Sequence, residues 1–106
     1  MLIILTMLHK EVLYITLTIL EEYGSLGSRD ITQTYLIRRY GMQASEKDFE
    51  LEYKRMKSNL SVYCNKYKYI KKATKHKPYL YRVKKDSRTN MKVRALRDEF
   101  DKIYKH

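Results

Sequence analysis

Apolar residues near the start of the chain recur every three or four positions, which is the period of an amphipathic helix. The pattern predicts a helix over residues 7–23 that ends at Gly24, because glycine readily adopts the left-handed backbone conformation. Leu13 and Leu17 lie off the main stripe, so this helix is predicted to be central or at an oligomer interface. Its inward stripe is Leu8, Val12, Ile15, Ile19, Leu20 and Tyr23.

The same period predicts two more helices. The second begins at Ser28 or Asp30 and ends at Gly41, with Ile31, Tyr35 and Leu36 facing inward. A turn over residues 41–44 follows, and Ser45 with Asp48 forms a capping-box pattern that starts the third helix. This third helix is amphipathic over about 20 residues, or about 30 Å. Its apolar stripe is Phe49, Tyr53, Met56, Leu60, Tyr63, Cys64 and Tyr67.

After Tyr67 the pattern changes to the alternation that is typical of strands. Residues 68–73 and 79–84 are predicted to be two strands, joined by a polar hairpin tip at residues 74–78. Leu26 is predicted to add a short third strand. A final helix over residues 88–104 has an apolar side formed by Val93, Leu96, Phe100, Ile103 and Tyr104. The predicted fold class is α+β, mainly helical.

Length and composition predict one folded domain over residues 1–106, because 43% of the residues are hydrophobic and the chain has only three Gly and one Pro. The lone cysteine, Cys64, cannot form an internal disulfide, which indicates a reducing compartment. The apolar run at residues 1–8 is too short to span a bilayer and lacks the basic residues that open a signal peptide. We therefore expect a cytoplasmic protein with no secretion signal and no membrane partner.

Positive charge is concentrated in one part of the chain. Residues 53–85, the basic third, contain twelve Lys or Arg residues and no Asp or Glu, whereas the remaining residues carry 11 basic and all 12 acidic residues. The net charge of +11 therefore comes from the basic third. Charge that is segregated in this way predicts a polyanion as the partner.

The order of three helices followed by a hairpin resembles the winged-helix family of helix-turn-helix proteins. The resemblance covers residues 7–85 and is carried by the order of the elements and the placement of charge. It implies that residues 28–40 and 45–66 are the two helices of the helix-turn-helix, the latter being the recognition helix. Residues 74–78 would then be the tip of the wing.

Polar residues of the third helix outside its apolar stripe are the candidates for reading base edges. Arg55 has the paired donors that suit guanine, Asn59 or Asn65 has the amide that suits adenine, and the serines allow close approach. Each residue alone is also typical of a solvated helix face, but such a face would include carboxylates. The acidic residues upstream predict that contact begins near Lys54. The candidate set is Lys54, Arg55, Lys57, Ser58, Asn59, Ser61, Asn65 and Lys66.

The hairpin supplies a second group of candidates for phosphate contact, and each neutralised phosphate makes binding more sensitive to salt. The alternative is that lysines only protect an edge strand against aggregation. The density of charge around the tip favours phosphate contact. This set is Lys71, Lys72, Lys75, His76, Lys77 and Arg82.

Tyrosines alternate with the cations in this region, and exposed aromatic rings can stack on unpaired bases. Such rings more often pack a small core while the hydroxyl reaches water. Tyr63 and Tyr67 fit the core stripe of the third helix. The tyrosines of the hairpin cannot all face inward, so a single-strand or RNA binder remains an alternative. Those hairpin tyrosines are Tyr69, Tyr79 and Tyr81.

The sequence contains no glycine-rich phosphate loop and no nucleophile–base constellation, so we expect no enzyme activity. The histidines lack partners at metal-ligand spacing, and we expect no metal, cofactor or small-molecule substrate. Cys64 lies on the apolar stripe and is interpreted as a core thiol.

The resemblance implies a sequence-specific, double-stranded DNA-binding protein that acts as a small transcriptional regulator. The final helix resembles the C-terminal dimerisation helix of small viral and plasmid regulators, which implies a homodimer formed through the first and last helices. For a viral protein the compartment would be the host-cell cytoplasm. The alternatives are an RNA or single-strand binder, a plasmid or virus segregation protein, a DNA-coating protein, or a protein-interaction module with a basic face.

Overall fold

Helix-forming and strand-forming segments follow one another in the predicted order. The structure, a computed structural model, describes the backbone of residues 2–41 and 44–104 and the side chains of residues 9–41 and 44–101. Over these residues the fold is α+β and mainly helical, with four helices and one small antiparallel sheet. The elements are α1 (Leu2–Tyr23), β1 (Leu26–Gly27), α2 (Ser28–Tyr40), α3 (Glu46–Asn65), β2 (Ile70–Lys72), β3 (Leu80–Val83) and α4 (Ser87–Tyr104).

The sheet joins the short strand after α1 to the hairpin. Its strand order is β1-β3-β2, and both pairings are antiparallel. Leu26 is opposite Tyr81, and Ile70 is opposite Val83. The third strand predicted at Leu26 is therefore present, and it pairs with the second strand of the hairpin.

Several boundaries differ from the predictions. α1 begins at Leu2 rather than at residue 7, and both hairpin strands are shorter than predicted. Single backbone hydrogen bonds continue the pairing beyond the strands, from the Lys84 amide to the Tyr69 carbonyl and from the Ala73 amide to the Leu80 carbonyl. In the predicted turn over residues 41–44, Met42 and Gln43 lie outside the described residues. So do the side chains of Leu8, Ile103 and Tyr104.

The central position predicted for α1 is confirmed. Residues on several of its faces are buried, and the helix contacts α2, β3 and α4. Tyr23, predicted to face inward, is 54% exposed, because it lies in the last turn, where the Arg38 guanidinium stacks 5.7 Å from its ring centre. None of the helices in the described part of the chain combines the length and the apolar content that crossing a bilayer requires.

Local signals fix the ends of α2 and α3. α2 ends at Tyr40 and is capped by Gly41, whose φ of 76° is unfavourable for residues with a Cβ atom and whose amide donates to the Ile37 carbonyl. Ser45 begins α3, since its hydroxyl oxygen accepts the Asp48 amide at 3.3 Å. The same hydroxyl donates to the Asp48 carboxylate at 2.9 Å, so the predicted Ser45–Asp48 cap is present.

The apolar stripe of α3 attaches this helix to the core. Met56, Leu60 and Tyr63 are buried, as predicted. The other members of the stripe are half-buried along its edges: Phe49, Tyr53, Cys64 and Tyr67. The three buried residues therefore determine which side of α3 faces the solvent.

α4 packs against α1 through Tyr14. The Tyr14 ring stacks on Phe100 with 5.4 Å between ring centres, and its hydroxyl donates to the Asp101 carboxylate at 2.6 Å. Burial, followed by the hydrogen bond and the negative charge of Asp101, raises the pKa of Tyr14 to about 12. This contact therefore stabilises the neutral phenol in the folded protein.

Replacing Tyr14 by Phe removes the hydroxyl and keeps the stacked ring. A hydrogen bond to a charged group contributes about 1.5–3 kcal/mol, so Tyr14→Phe is expected to lower the free energy of unfolding by that amount in urea titrations at pH 7. Tyr23→Phe, at an exposed position of the same helix, is the matched control and should leave the free energy of unfolding nearly unchanged.

The difference in stability between the wild type and Tyr14→Phe should also depend on pH. The folded-state pKa of Tyr14 lies above its ordinary value of 10, so its contribution is complete below pH 10 and is lost as the pH rises through about 12. The difference in the free energy of unfolding between the wild type and Tyr14→Phe should shrink over this range. A constant difference would contradict the assignment.

Candidate nucleic-acid interface

Six exposed residues of α3 form a stripe opposite its buried side. They recur at intervals of three or four residues, so they lie on one face of the helix. We call this set the outward stripe: Lys47, Leu51, Lys54, Ser58, Ser61 and Asn65. Four of its members belong to the predicted set, namely Lys54, Ser58, Ser61 and Asn65. The stripe offers cations, hydroxyls, an amide and one apolar group, and it contains no carboxylate.

Arg55 and Asn59 lie at the edge of α3 that faces α1 and α2. Both line a cavity of about 260 Å³ together with Tyr35 and Arg39. Arg55 also forms an ion pair with Glu52 at 2.8 Å, with 63% of its side chain exposed. An exposed pair of this kind contributes at most about 1 kcal/mol, so a stronger anion can displace Glu52. The roles predicted for Arg55 and Asn59 stay predictions.

Lys57 lies at the opposite edge of α3, towards the sheet. Its ammonium is 4.5 Å from the ring centre of Tyr53. The hydroxyl of Ser28 donates to the Tyr53 hydroxyl at 3.3 Å, which ties this edge to the start of α2. Lys66 follows α3 directly, and its ammonium is 5.8 Å from the ring centre of Tyr67.

The acidic start of α3 is partly neutralised within the protein. Glu50 pairs with Arg29 of α2 at 3.0 Å, and Glu52 pairs with Arg55. The guanidinium of Arg29 also lies 5.0 Å from the ring centre of Phe49 and 4.9 Å from that of Tyr53. Arg29 therefore adds a positive charge beside the turns that the sequence presents as acidic.

The pairing of the hairpin strands divides its cations between two faces. Lys71 is opposite Arg82, so both side chains project from the same face of the sheet. Ile70, on the next position of β2, is buried, and Lys71 and Arg82 therefore lie on the face turned away from the core. Arg82 also lines a cavity with Glu21 of α1.

Lys72 projects on the same face of the sheet as Ile70. This residue is opposite Tyr81, and its ammonium lies 4.1 Å from the ring centre of Tyr79. Burial, together with the nearby Cys64, Tyr79 and Tyr53 side chains, raises the pKa of Tyr81. Tyr81 is half-buried against the core, and β2 contacts α3, so Lys72 projects from the hairpin on the side of α3.

The tip of the hairpin carries Lys75, His76 and Lys77, all of them exposed. Thr74 closes this tip: its hydroxyl oxygen accepts the Leu80 amide at 3.0 Å, and its hydroxyl donates to the His76 carbonyl at 3.4 Å. One threonine thus connects the two ends of a segment that has no regular pairing of its own.

The tyrosines of the basic third are all at least half-buried. Tyr63 is fully buried, which raises the pKa of its hydroxyl. Tyr67 and Tyr69 contact each other, with the Arg88 guanidinium 4.6 Å from the ring centre of Tyr69. Tyr79 and Tyr81 lie on the sheet face nearer α3. Side chains of this protein therefore contact the rings that were candidates for stacking on unpaired bases.

No protein-family model, curated protein or solved structure matches this chain. An assignment of function therefore depends on the chemistry of the α3 and hairpin surfaces.

Three residues near this surface were missed by sequence reasoning. Lys47 and Leu51 share the spacing of the outward stripe, and that spacing alone would have identified them. Leu51 is 50% exposed. Arg29 has no such signal, because its position depends on how α2 packs against α3.

Metal-ligating residue types and the free thiol complete the description of this surface. Among the described residues, no group of three or more His, Cys, Asp or Glu side chains is arranged to hold a metal ion. Cys64 is a half-buried free thiol beside Tyr81. The candidate surface is therefore one of cations, hydroxyls and amides.

Replacing Thr74 by Val preserves the shape of the side chain but removes both hydrogen bonds at the tip. A neutral hydrogen bond contributes about 1 kcal/mol, so the amide of Leu80 should exchange with solvent about fivefold faster in NMR hydrogen-exchange measurements. Thr34→Val, which removes a hydroxyl bonded to the Asp30 carbonyl on α2, should leave Leu80 unchanged. Equal exchange at Leu80 in the wild type and Thr74→Val would show that Thr74 does not close the tip.

Proposed function

We propose that this protein is a sequence-specific, double-stranded DNA-binding protein of the winged-helix type that acts as a small transcriptional regulator. The observation that carries the proposal is the outward stripe of α3, which is exposed and free of carboxylates, on a helix that contacts the cationic hairpin. In this proposal α2 and α3 form the helix-turn-helix, α3 is the recognition helix, and the hairpin of β2 and β3 is the wing.

The outward stripe has the chemistry that base reading requires. The major groove of B-DNA is about 12 Å wide and admits one α-helix. Lys54 can donate to a guanine edge, and the amide of Asn65 can pair with an adenine edge. Leu51 offers an apolar contact for the methyl group of thymine, and Ser58 allows the helix to approach closely.

The wing supplies phosphate contacts beside the recognition helix. Lys72, on the face of the sheet nearer α3, and the tip residues Lys75, His76 and Lys77 are the residues proposed to make them. Lys71 and Arg82 project from the other face, so we assign them a smaller share of the binding energy. Phosphate contacts position the protein on the duplex, while the outward stripe reads the sequence.

Duplex DNA is favoured over single strands because of the tyrosines. A single-strand or RNA binder presents open aromatic faces to successive bases. Here Tyr69 and Tyr79 are covered by Arg88 and Lys72, and Tyr63 is fully buried. The well-exposed tyrosines of the described part, Tyr23 and Tyr40, lie outside the basic third.

We also propose a homodimer through the first and last helices. The buried residues of α4, Val93, Leu96 and Phe100, belong to the core of the protomer. The interface would therefore use the outer sides and ends of α1 and α4, where Met91 is 71% exposed. Two-fold symmetry would then require two half-sites in a palindromic arrangement.

The proposal predicts binding to duplex DNA that weakens steeply with salt. Replacing Lys72, Lys75 and Lys77 together by Ala should reduce the slope of log K against log salt by about 2.7, because each phosphate contact contributes about 0.9. The measurement is fluorescence anisotropy with a labelled duplex at several salt concentrations.

A matched control removes three positive charges from α4, by replacing Lys92, Arg94 and Arg97 with Ala. Its slope should stay close to that of the wild type, since these residues lie outside the proposed DNA surface. Because α4 is also part of the proposed dimer interface, sedimentation velocity is run on both triple variants, and the slopes are compared between proteins of the same oligomeric state. The wing assignment is wrong if both triple variants lose the same slope. The duplex assignment is wrong if a single-stranded competitor displaces the labelled duplex more effectively than unlabelled duplex does.

A further inference from the structure

Two tyrosine rings contact cations from three different elements. Tyr53 belongs to α3, and Tyr79 directly precedes β3. The ring centre of Tyr53 lies 4.9 Å from the guanidinium of Arg29 in α2 and 4.5 Å from the ammonium of Lys57 in α3. The ring centre of Tyr79 lies 4.1 Å from the ammonium of Lys72 in β2. Each distance is within the roughly 6 Å over which a ring face attracts a cation.

Both rings are near Tyr81, which is opposite Lys72 in the sheet. Burial, followed by the nearby Cys64, Tyr79 and Tyr53 side chains, raises the pKa of Tyr81. The hydroxyl of Tyr53 is also tied to Ser28. The ring of Tyr53 is therefore held in place on the folded protein before any ligand binds.

We propose that Tyr53 and Tyr79 are positioning residues that hold Arg29, Lys57 and Lys72 in a prearranged phosphate-binding row between α3 and the hairpin. The proposal rests on the proposed function, because its ligand is the backbone of duplex DNA. It goes further by adding Arg29 to the interface and by giving two tyrosines a role in affinity.

Prearrangement matters because long cationic side chains are mobile when they are free. Ordering one such side chain on binding lowers affinity by about two- to tenfold. A cation that rests on a ring has already lost part of this freedom, and a contact with the ring face leaves N–H groups available for phosphate oxygens. The rings should therefore raise affinity without adding any charge.

Besides the rings of Phe49 and Tyr53, Arg29 contacts the carboxylate of Glu50 at 3.0 Å. Both side chains are about half exposed, with 60% and 48% of their areas accessible, so the pair is weak and open to exchange. A phosphate that approaches Arg29 can replace Glu50 while the ring keeps the guanidinium in position. The ring contact, rather than the ion pair, is the feature that persists in the bound state.

The test separates the number of charges from their arrangement. Tyr53→Leu removes the ring but none of the cations, whereas Tyr53→Phe keeps the ring and removes only the hydroxyl. Affinity for a labelled duplex is measured over a series of salt concentrations for both variants. Tyr23→Leu, which removes the ring beside Arg38 at the end of α1, is the matched control.

For Tyr53→Leu we expect about threefold weaker binding, because Lys57 loses its ring whereas Arg29 keeps the ring of Phe49, whose centre is 5.0 Å away. The salt slope should stay unchanged because the phosphate contacts still form. Tyr53→Phe and Tyr23→Leu should bind like the wild type. Lys57→Ala should instead reduce the slope by about 0.9, as the loss of one phosphate contact requires. Equal losses in Tyr53→Phe and Tyr53→Leu would overturn the proposal, since the hydroxyl and not the ring would then be the cause.

Tyr79 provides a second, independent pair of variants in case Tyr53→Leu does not fold, which thermal unfolding followed by circular dichroism would show. Tyr79→Leu should weaken binding about threefold, since it affects one cation, and Tyr79→Phe should not. Wild-type affinity in Tyr79→Leu would overturn the proposal for the wing.

Failure of the inference is distinguishable from failure of the proposed function. A wild-type protein that does not bind duplex DNA contradicts both. A wild type that binds duplex DNA with a steep salt slope, together with leucine variants of equal affinity, contradicts only the role of the rings.

Discussion

Burial of Met56, Leu60 and Tyr63 fixes the rotation of α3 about its axis, and the candidate surface depends on that rotation. Burying a side chain of this size contributes about 1.5–3 kcal/mol, so exposing all three would cost several kcal/mol. Neighbouring positions on a helix differ by about 100°, and a rotation of one residue would turn the outward stripe out of its exposed position. The core therefore determines which side chains α3 presents.

The second constraint is electrostatic. The first turns of α3 carry carboxylates, which interact favourably with the helix dipole but repel a phosphate backbone. Two of them have arginine partners: Arg29 beside Glu50 and Arg55 beside Glu52. This pairing reduces the repulsion at the start of the helix, and it explains how exposed residues as early as Lys47 and Leu51 can belong to the same surface as Lys54.

Much of the fold is encoded in local patterns. The capping pattern of Ser45 and Asp48 and the period of the apolar stripe predict α3, and the change to alternation after Tyr67 predicts the hairpin. The prediction that Tyr23 faces inward was wrong, because helix periodicity carries no information on where the core ends. The residue pattern within one helix also does not show which side chains of another helix pack against it.

In the candidate site, too, some features follow from local sequence patterns and others depend on packing between elements. Lys54, Ser58, Ser61 and Asn65 share an exposed face that helix periodicity alone defines. The division of the hairpin cations depends on the register that makes Lys71 the partner of Arg82, and on the burial of Ile70. Arg29 joins the surface through packing between α2 and α3, which one sequence does not display.

The central claim is that the outward stripe reads the sequence of duplex DNA. Its most direct test is selection of bound duplexes from a random pool, performed with the wild type and with a variant carrying Lys54→Ala and Ser58→Ala. We expect a defined motif for the wild type, arranged as a palindrome if the protein is a dimer, and loss of preference at specific positions for the variant. A pool without enrichment, or an identical motif for both proteins, would contradict it.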